Sequence, residues 1–112
     1  MMNDPVQEQL DAYNAHDLER FLACYAPDVR IEDAEGRTMS TGLEAMRKTY
    51  GALFTTRPDV HATVKARMRV GEFVVDDEEA TFGGDSGTPQ TIRVLAVYRV
   101  RDGLIVSVRF LR

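Results

Sequence analysis

A single cysteine, Cys24, among 112 residues rules out an intrachain disulfide, so the fold must rest on packing and hydrogen bonding. No stretch approaches the ~18 continuous apolar residues needed to span a bilayer. The opening "MMNDPVQEQL" lacks both the basic and the apolar region of a secretory leader, and a soluble, cytoplasmic chain is expected. Positive charge is sparse and scattered: 14 Lys and Arg face 18 Asp and Glu, for a net charge of -4. That balance excludes the cationic surface that displaces counterions from nucleic acid. Internal repeats and low-complexity tracts are lacking as well, and the length suits one domain, residues 1–112, with a single core.

Several chemical signatures are also missing. No cysteine or histidine stands at a zinc-ligand spacing, and no calcium-loop pattern occurs. Nucleophile elbows and dinucleotide fingerprints are lacking, and "GGDSG" has neither the lysine nor the following helix of a phosphate cradle. Neither a metal nor a cofactor is expected.

What is present divides into helices and then strands. Asp4-Pro5 reads as an N-cap with proline at the first helical position, followed by Val6, Leu10 and Tyr13 at helical spacing. "NAHD" interrupts, and Asp17 caps a second short helix that buries Leu18, Phe21, Leu22 and Tyr25. The stretch "APDVRIEDAEGR", from Ala26 to Arg37, begins as a half-buried strand, with Val29 and Ile31 on one face. Thr41 and Glu44 form a capping-box pattern ahead of a third helix carrying Met46, Tyr50, Leu53 and Phe54, and Pro58 ends it. Residues 60–70 alternate apolar and polar throughout, "EFVVDDEEATF" returns after Gly71, and "GGDSGTPQ" is a loop before "TIRVLAVYRV". Asp102-Gly103 marks a hairpin into "LIVSVRFLR". Helices followed by long antiparallel strands predict an α+β domain.

"AYNAHDLERFLACYAPDVRIED", "VGEFVVDDEEATF" and "LAVYRVRDGLIVSVRF" together resemble the nuclear transport factor 2-like superfamily, in particular its SnoaL-like and ketosteroid isomerase-like members. The resemblance covers nearly the whole chain. It implies a cone-shaped, cystatin-like α+β barrel, with three N-terminal helices packed on a curved, mainly antiparallel sheet around a pocket. It also implies a small, mainly apolar ligand bearing a carbonyl or hydroxyl. The chemistry would be cofactor-independent acid–base catalysis of an isomerase, dehydratase or cyclase type; a non-catalytic binding or dimerisation module is the alternative, since one fold hosts many functions.

Asp33 is the candidate catalytic residue. It falls where the apolar face of the first strand should continue, and where the resemblance places a general-base aspartate. A carboxylate there would be desolvated and tuned toward proton transfer. The competing reading is that Asp33 only begins the "DAEG" turn. By the same resemblance Gln9 replaces the oxyanion-stabilising tyrosine and Ala96 replaces its protonated aspartic acid, so the familiar steroid isomerisation is not expected. The candidate ligand-binding set is Gln9, Tyr13, Ile31, Tyr50, Ala96, Tyr98, Val108 and Phe110, with the phenols of Tyr98 and Tyr13 as possible donors to a ligand oxygen.

The acidic run at residues 76–79 reads as a solvated strand end or edge, at most two of whose acids share the cavity side. His16 and His61 are expected to be exposed, and Cys24 buried and inert. On the opposite face, Leu95 and Val97 between Arg93 and Arg99 suit a homodimer contact, a use common among these relatives.

Overall fold

A computed structural model of the chain describes residues 4–83 and 88–112. The helices are α1 (Pro5–Asn14), α2 (Leu18–Leu22) and α3 (Leu43–Thr56), the third following the first two strands in the chain. The strands are β1 (Tyr25–Glu32), β2 (Thr38–Thr41), β3 (His61–Val70), β4 (Phe73–Gly83), β5 (Pro89–Arg101) and β6 (Leu104–Leu111). They form one open six-stranded sheet in the order β2-β1-β6-β5-β4-β3, in which only the β1–β6 pairing is parallel. The helices lie against its inner face, giving the expected cone-shaped α+β architecture. Val6, Phe21, Val29, Met46, Ile105 and Val108 are the largest fully buried apolar side chains among the described residues.

The first two helix starts follow their sequence signals. Asp4 accepts the Gln7 amide at 3.2 Å, and Asp17 accepts that of Arg20 at 3.2 Å. The "NAHD" segment between these helices does more than turn the chain. Asn14 exchanges two hydrogen bonds with the backbone of Ala62 (2.7 and 2.9 Å), as a neighbouring strand would. His16, at φ 56°, brings Nε2 to 2.7 Å from the Val60 carbonyl and is half-buried, not exposed. That nitrogen must donate, because a carbonyl only accepts. Both contacts tie the helical pair to β3, a terminal strand of the sheet. His61 is exposed and Cys24 buried, as expected, and burial pushes the Cys24 thiol up to about 11.

Several local expectations need correction. Tyr25 begins β1 and does not belong to α2, which ends at Leu22, and the short β2 was not foreseen. The N-cap of α3 is Gly42, with no side-chain cap, so Thr41 does not start that helix. Residues 60–70 do not keep one apolar face. The pairing of β3 with β4 slips between Val64 and Ala66, leaving Lys65 as a bulge. Beyond it the parity of the strand inverts: Arg67 and Arg69 face the helices, while Met68 and Val70 are 62% and 66% exposed. The acidic run is likewise no edge, for β4 lies between β3 and β5. Of the expected "GGDSGTPQ" loop, Gly83 and Pro89 belong to strands, and residues 84–87 lie outside the described residues.

The hairpin at Asp102-Gly103 has φ 54° and 78° at its two central residues, the mirror-image turn that matches strand twist. Gly42 is more demanding, with φ 92° and ψ 162°, a region open essentially only to glycine. A Cβ there would stand 3.6 Å from the Pro27 carbonyl, so space is adequate and the dihedral alone forbids it. Gly42→Ala is expected to cost about 1–3 kcal/mol, measured by urea denaturation; an unchanged midpoint would show that the α3 start relaxes freely.

Candidate functional site

The helices and the inner sheet face enclose a cavity of about 470 Å³ open at one end, within the range of small-molecule pockets. Its walls are chiefly aromatic and aliphatic. The chain has four tyrosines, and all of them, Tyr13, Tyr25, Tyr50 and Tyr98, line this one space. Ring contacts hold three of them in place: Phe21 lies 4.6 Å from Tyr50 and 5.1 Å from Tyr25, and Phe54 lies 5.5 Å from Tyr13.

A hydrogen-bond chain at the inner end fixes which groups can donate. Gln9 Nε2 lies 3.0 Å from the Val6 carbonyl, so this atom is the amide nitrogen and donates. Its second hydrogen goes to the Tyr98 hydroxyl at 3.2 Å, and Gln9 Oε1 accepts from the Tyr25 hydroxyl at 3.1 Å. Gln9 has therefore used its donors and holds no hydrogen for a ligand oxygen. Tyr98, having accepted from Gln9, keeps its own O–H to give. Burial raises the phenols of Tyr25 and Tyr98 well above 10, so both keep their protons. Tyr13 is pushed up to about 12 by burial and then by the Glu78 charge, and Tyr50 is raised for the same first reason.

Glu78 is the one acidic side chain in the cavity wall among the described residues. It extends from the inner face of β4 opposite Val94, and no hydrogen bond reaches its carboxyl among the described residues. Burial pushes it from 4.5 up to about 7; Asp76 adds to the rise and Arg67 opposes it. Its charge contributes to the raised value of all four tyrosines. A carboxyl poised near neutrality beside a free phenol O–H can accept a proton from carbon while a ligand oxygen is held.

Asp33 stands elsewhere, and its expected place facing the cavity is corrected. Strand β1 ends at Glu32, so the period-two reading stops one residue too early to describe it. Asp33 Oδ1 accepts the amides of Glu35 and Arg37 at 3.0 and 2.9 Å, and Oδ2 accepts Arg37 Nε at 3.2 Å. The Arg37 amide, helped by that of Glu35 and the Arg37 guanidinium, holds this carboxyl below its usual range. It is the turn residue of "DAEG" and does not border the cavity. Of the other candidates, Gln9, Tyr13, Ile31, Tyr50, Tyr98 and Phe110 line the cavity, whereas Ala96 and Val108 are buried behind it. Ala96 is the cross-strand partner of Asp76 and leaves only a methyl beside that acid.

Glu78 was hidden in the sequence by its neighbours. The alternation of Val74, Asp76, Glu78 and Ala80 was the available signal, since Val74 fixes which face is inward. The expectation that at most two of the four acids share the cavity side holds: they are Asp76 and Glu78.

The sequence profile of the SnoaL-like domain matches residues 6–108, and the chain belongs to that family. No curated protein matches its sequence. Among solved structures it is similar to a cystatin-fold protein from Novosphingobium aromaticivorans, with 27% identity and a TM-score of 0.87, covering 100% of this chain and 99% of that one. It is also similar to IdmH, a proposed polyketide cyclase from Streptomyces antibioticus. There the identity is 25% and the TM-score 0.83, over 96% of this chain and 88% of that one. A ketosteroid isomerase-like protein from Catenulispora acidiphila, in complex with trimethylamine, shares the fold at 21% identity and a TM-score of 0.82, over 100% of this chain and 87% of that one.

Because the Glu78 value in the folded chain lies above 4.5, the folded state keeps this proton where the unfolded state has released it. The contribution of this group to stability is complete below about 4.5 and is lost as pH rises toward 7. Glu78→Gln should match the parent at pH 4 and exceed it at pH 8 by roughly 1–3 kcal/mol. Thermal unfolding at the two pH values checks this, and equal differences at both would contradict a raised carboxyl.

Proposed function

We propose that this chain is a cofactor-independent acid–base enzyme acting on a small, mainly apolar compound with a carbonyl group. The supporting observation is the Glu78 carboxyl set in an aromatic cavity with the spare Tyr98 O–H. In this reading the ligand carbonyl takes a hydrogen bond from Tyr98. Ionised Glu78 removes a proton from the adjacent carbon, and the electron pair moves onto oxygen as an enolate. The neutral acid then returns its proton. Return to a different carbon is isomerisation; protonation of a departing hydroxyl is dehydration. Attack of the enolate carbon on a second carbonyl, whose oxygen takes the Glu78 proton, is a ring closure, and IdmH is described as a proposed polyketide cyclase. Tyr13, Tyr50, Ile31 and Phe110 supply walls and Gln9 orients Tyr98. Asp33 takes no proton in this scheme.

A binding-only reading draws support from one observation: the three positions that the ketosteroid isomerase comparison makes catalytic hold a turn-locked aspartate, a glutamine whose donors are used, and an alanine. Proton exchange separates the two. A panel of cyclic and aryl ketones is incubated with the protein in deuterated water and followed by mass spectrometry. Enzyme-dependent exchange next to the carbonyl is expected, falling about 100-fold or more in Glu78→Gln and about 100-fold in Tyr98→Phe. Asp33→Asn should exchange at the parent rate. Binding without exchange across the panel would leave only the pocket.

A homodimer through the outer sheet face is part of this reading. Leu95 and Phe73 are 41% and 44% exposed on that face, beside Met68 and Val70, which supports an apolar contact. Light scattering should give twice the monomer mass, and Leu95→Asp should give the monomer; a monomeric parent refutes the contact. A cytoplasmic setting suits the lone, buried Cys24.

A further inference from the structure

The buried ion pair next to the cavity has no part in the scheme above. Asp76 is fully buried, its oxygens 2.6 Å from Arg67 Nε and 2.9 Å from Nη2. Arg67 Nη1 donates to Gln7 Oε1 on α1 at 2.8 Å. Stripping two ions of water costs several kcal/mol each, and such pairs seldom stabilise a fold more than apolar residues of equal size. Stability alone is therefore a poor reason for charges at this position. Placement suggests a better one: Asp76 and Glu78 stand two residues apart, on the same inward face of β4.

We propose that Asp76 and Arg67 are positioning residues for Glu78, a fixed carboxylate and its guanidinium that together set the field in which Glu78 takes up and releases its proton. The inference rests on Glu78 as the proton carrier. The groups around Glu78 are few. Tyr13 comes from α1, Tyr25 from β1, Tyr50 from α3 and Tyr98 from β5, and all four phenols stay neutral. Arg112 lies beyond the end of β6 in the cavity wall, exposed to solvent, which screens it. The charges acting through dry protein are Asp76 on the same strand and Arg67 on β3, and they act with opposite signs.

The two halves of the pair must then have opposite effects. Without the Asp76 charge, Arg67 remains and favours ionised Glu78, so the proton leaves at lower pH. Without Arg67, the Asp76 charge stands on the same strand face as Glu78 with nothing to oppose it, so the Glu78 proton leaves at higher pH. A structural role has no such signature, because losing either partner simply exposes the other and destabilises the fold.

The experiment is a carboxyl-carbon NMR titration of the glutamate-labelled full chain, with Glu78→Gln used to assign the resonance and amide spectra used to establish folding. Asp76→Asn should lower the Glu78 midpoint by about one pH unit or more. Arg67→Met should raise the Glu78 midpoint by a similar amount. Gln7→Ala, which removes the contact of Arg67 with α1 and a Gln7–Asp11 hydrogen bond but neither charge of the pair, should lose stability without moving the midpoint. Shifts of the same sign in the two charge variants, or an unmoved midpoint in either folded variant, would overturn the inference. Should one of them not fold, the sign shown by the other decides. The titration needs no substrate, so opposed shifts in a protein that exchanges no ketone would refute catalysis and still support the role of the pair.

Discussion

The bidentate contact between Arg67 and Asp76 organises the molecule around it. It joins β3 to β4 and, through Gln7, fastens α1 over the concave face. It exists only because Lys65 bulges out of its strand. Before the bulge Val64 pairs with Glu78; after it Arg67, not Ala66, pairs with Asp76. In regular pairing Arg67 and Arg69 would face outward, Asp76 would lie buried without a partner, and Asp4 would lose the Arg69 contact at 2.7 Å. The same inversion carries Met68 and Val70 to the outer face beside Phe73, where Val70 and Phe73 are cross-strand partners. One extra residue thus produces both an ion pair inside and an apolar corner outside.

Much of this fold was legible in the sequence where local chemistry and period agree. Asp4-Pro5, Asp17 and Asp102-Gly103 act where their residue types say they should. The failures share a cause, which is that a local pattern does not report what lies across the strand. The alternation in residues 60–70 looks unbroken because Ala66, Met68 and Val70 are apolar while Arg67 and Arg69 are charged, yet the bulge reverses which set faces the helices. The acidic run looks solvated because isolated carboxylates avoid burial. Asp76 is buried nonetheless, since its partner comes from nine residues earlier on another strand. Asp33 shows the converse error, a residue assigned to a strand that had already ended.

The candidate site was half legible for the same reason. Tyr98 and Tyr13 follow from periodicity and resemblance, but their hydrogen-bond roles do not. Those roles follow from the Val6 carbonyl. It fixes the orientation of the Gln9 amide, which makes Tyr25 a donor to Gln9 and Tyr98 an acceptor from it. A residue with no functional group of its own in the cavity therefore decides which hydroxyl can serve a ligand.

A concave sheet also explains how the proposed proton carrier can stand at β4 when resemblance points to the end of β1. Inward side chains from β1, β4, β5 and β6 converge on one hollow, as Ile31, Glu78, Tyr98 and Phe110 do here. Any of these positions can present a carboxyl to the same bound molecule, so what distinguishes them is the field rather than the reach. At the β1 end the acid is met by two backbone amides and a guanidinium, all of which favour its ionised form. At β4 it meets apolar walls and a neighbouring carboxylate, which oppose ionisation and leave a group that exchanges its proton near neutral pH. A scaffold of this shape can keep the pocket and move the chemistry between strands, provided the new strand supplies the surroundings that the old one has lost.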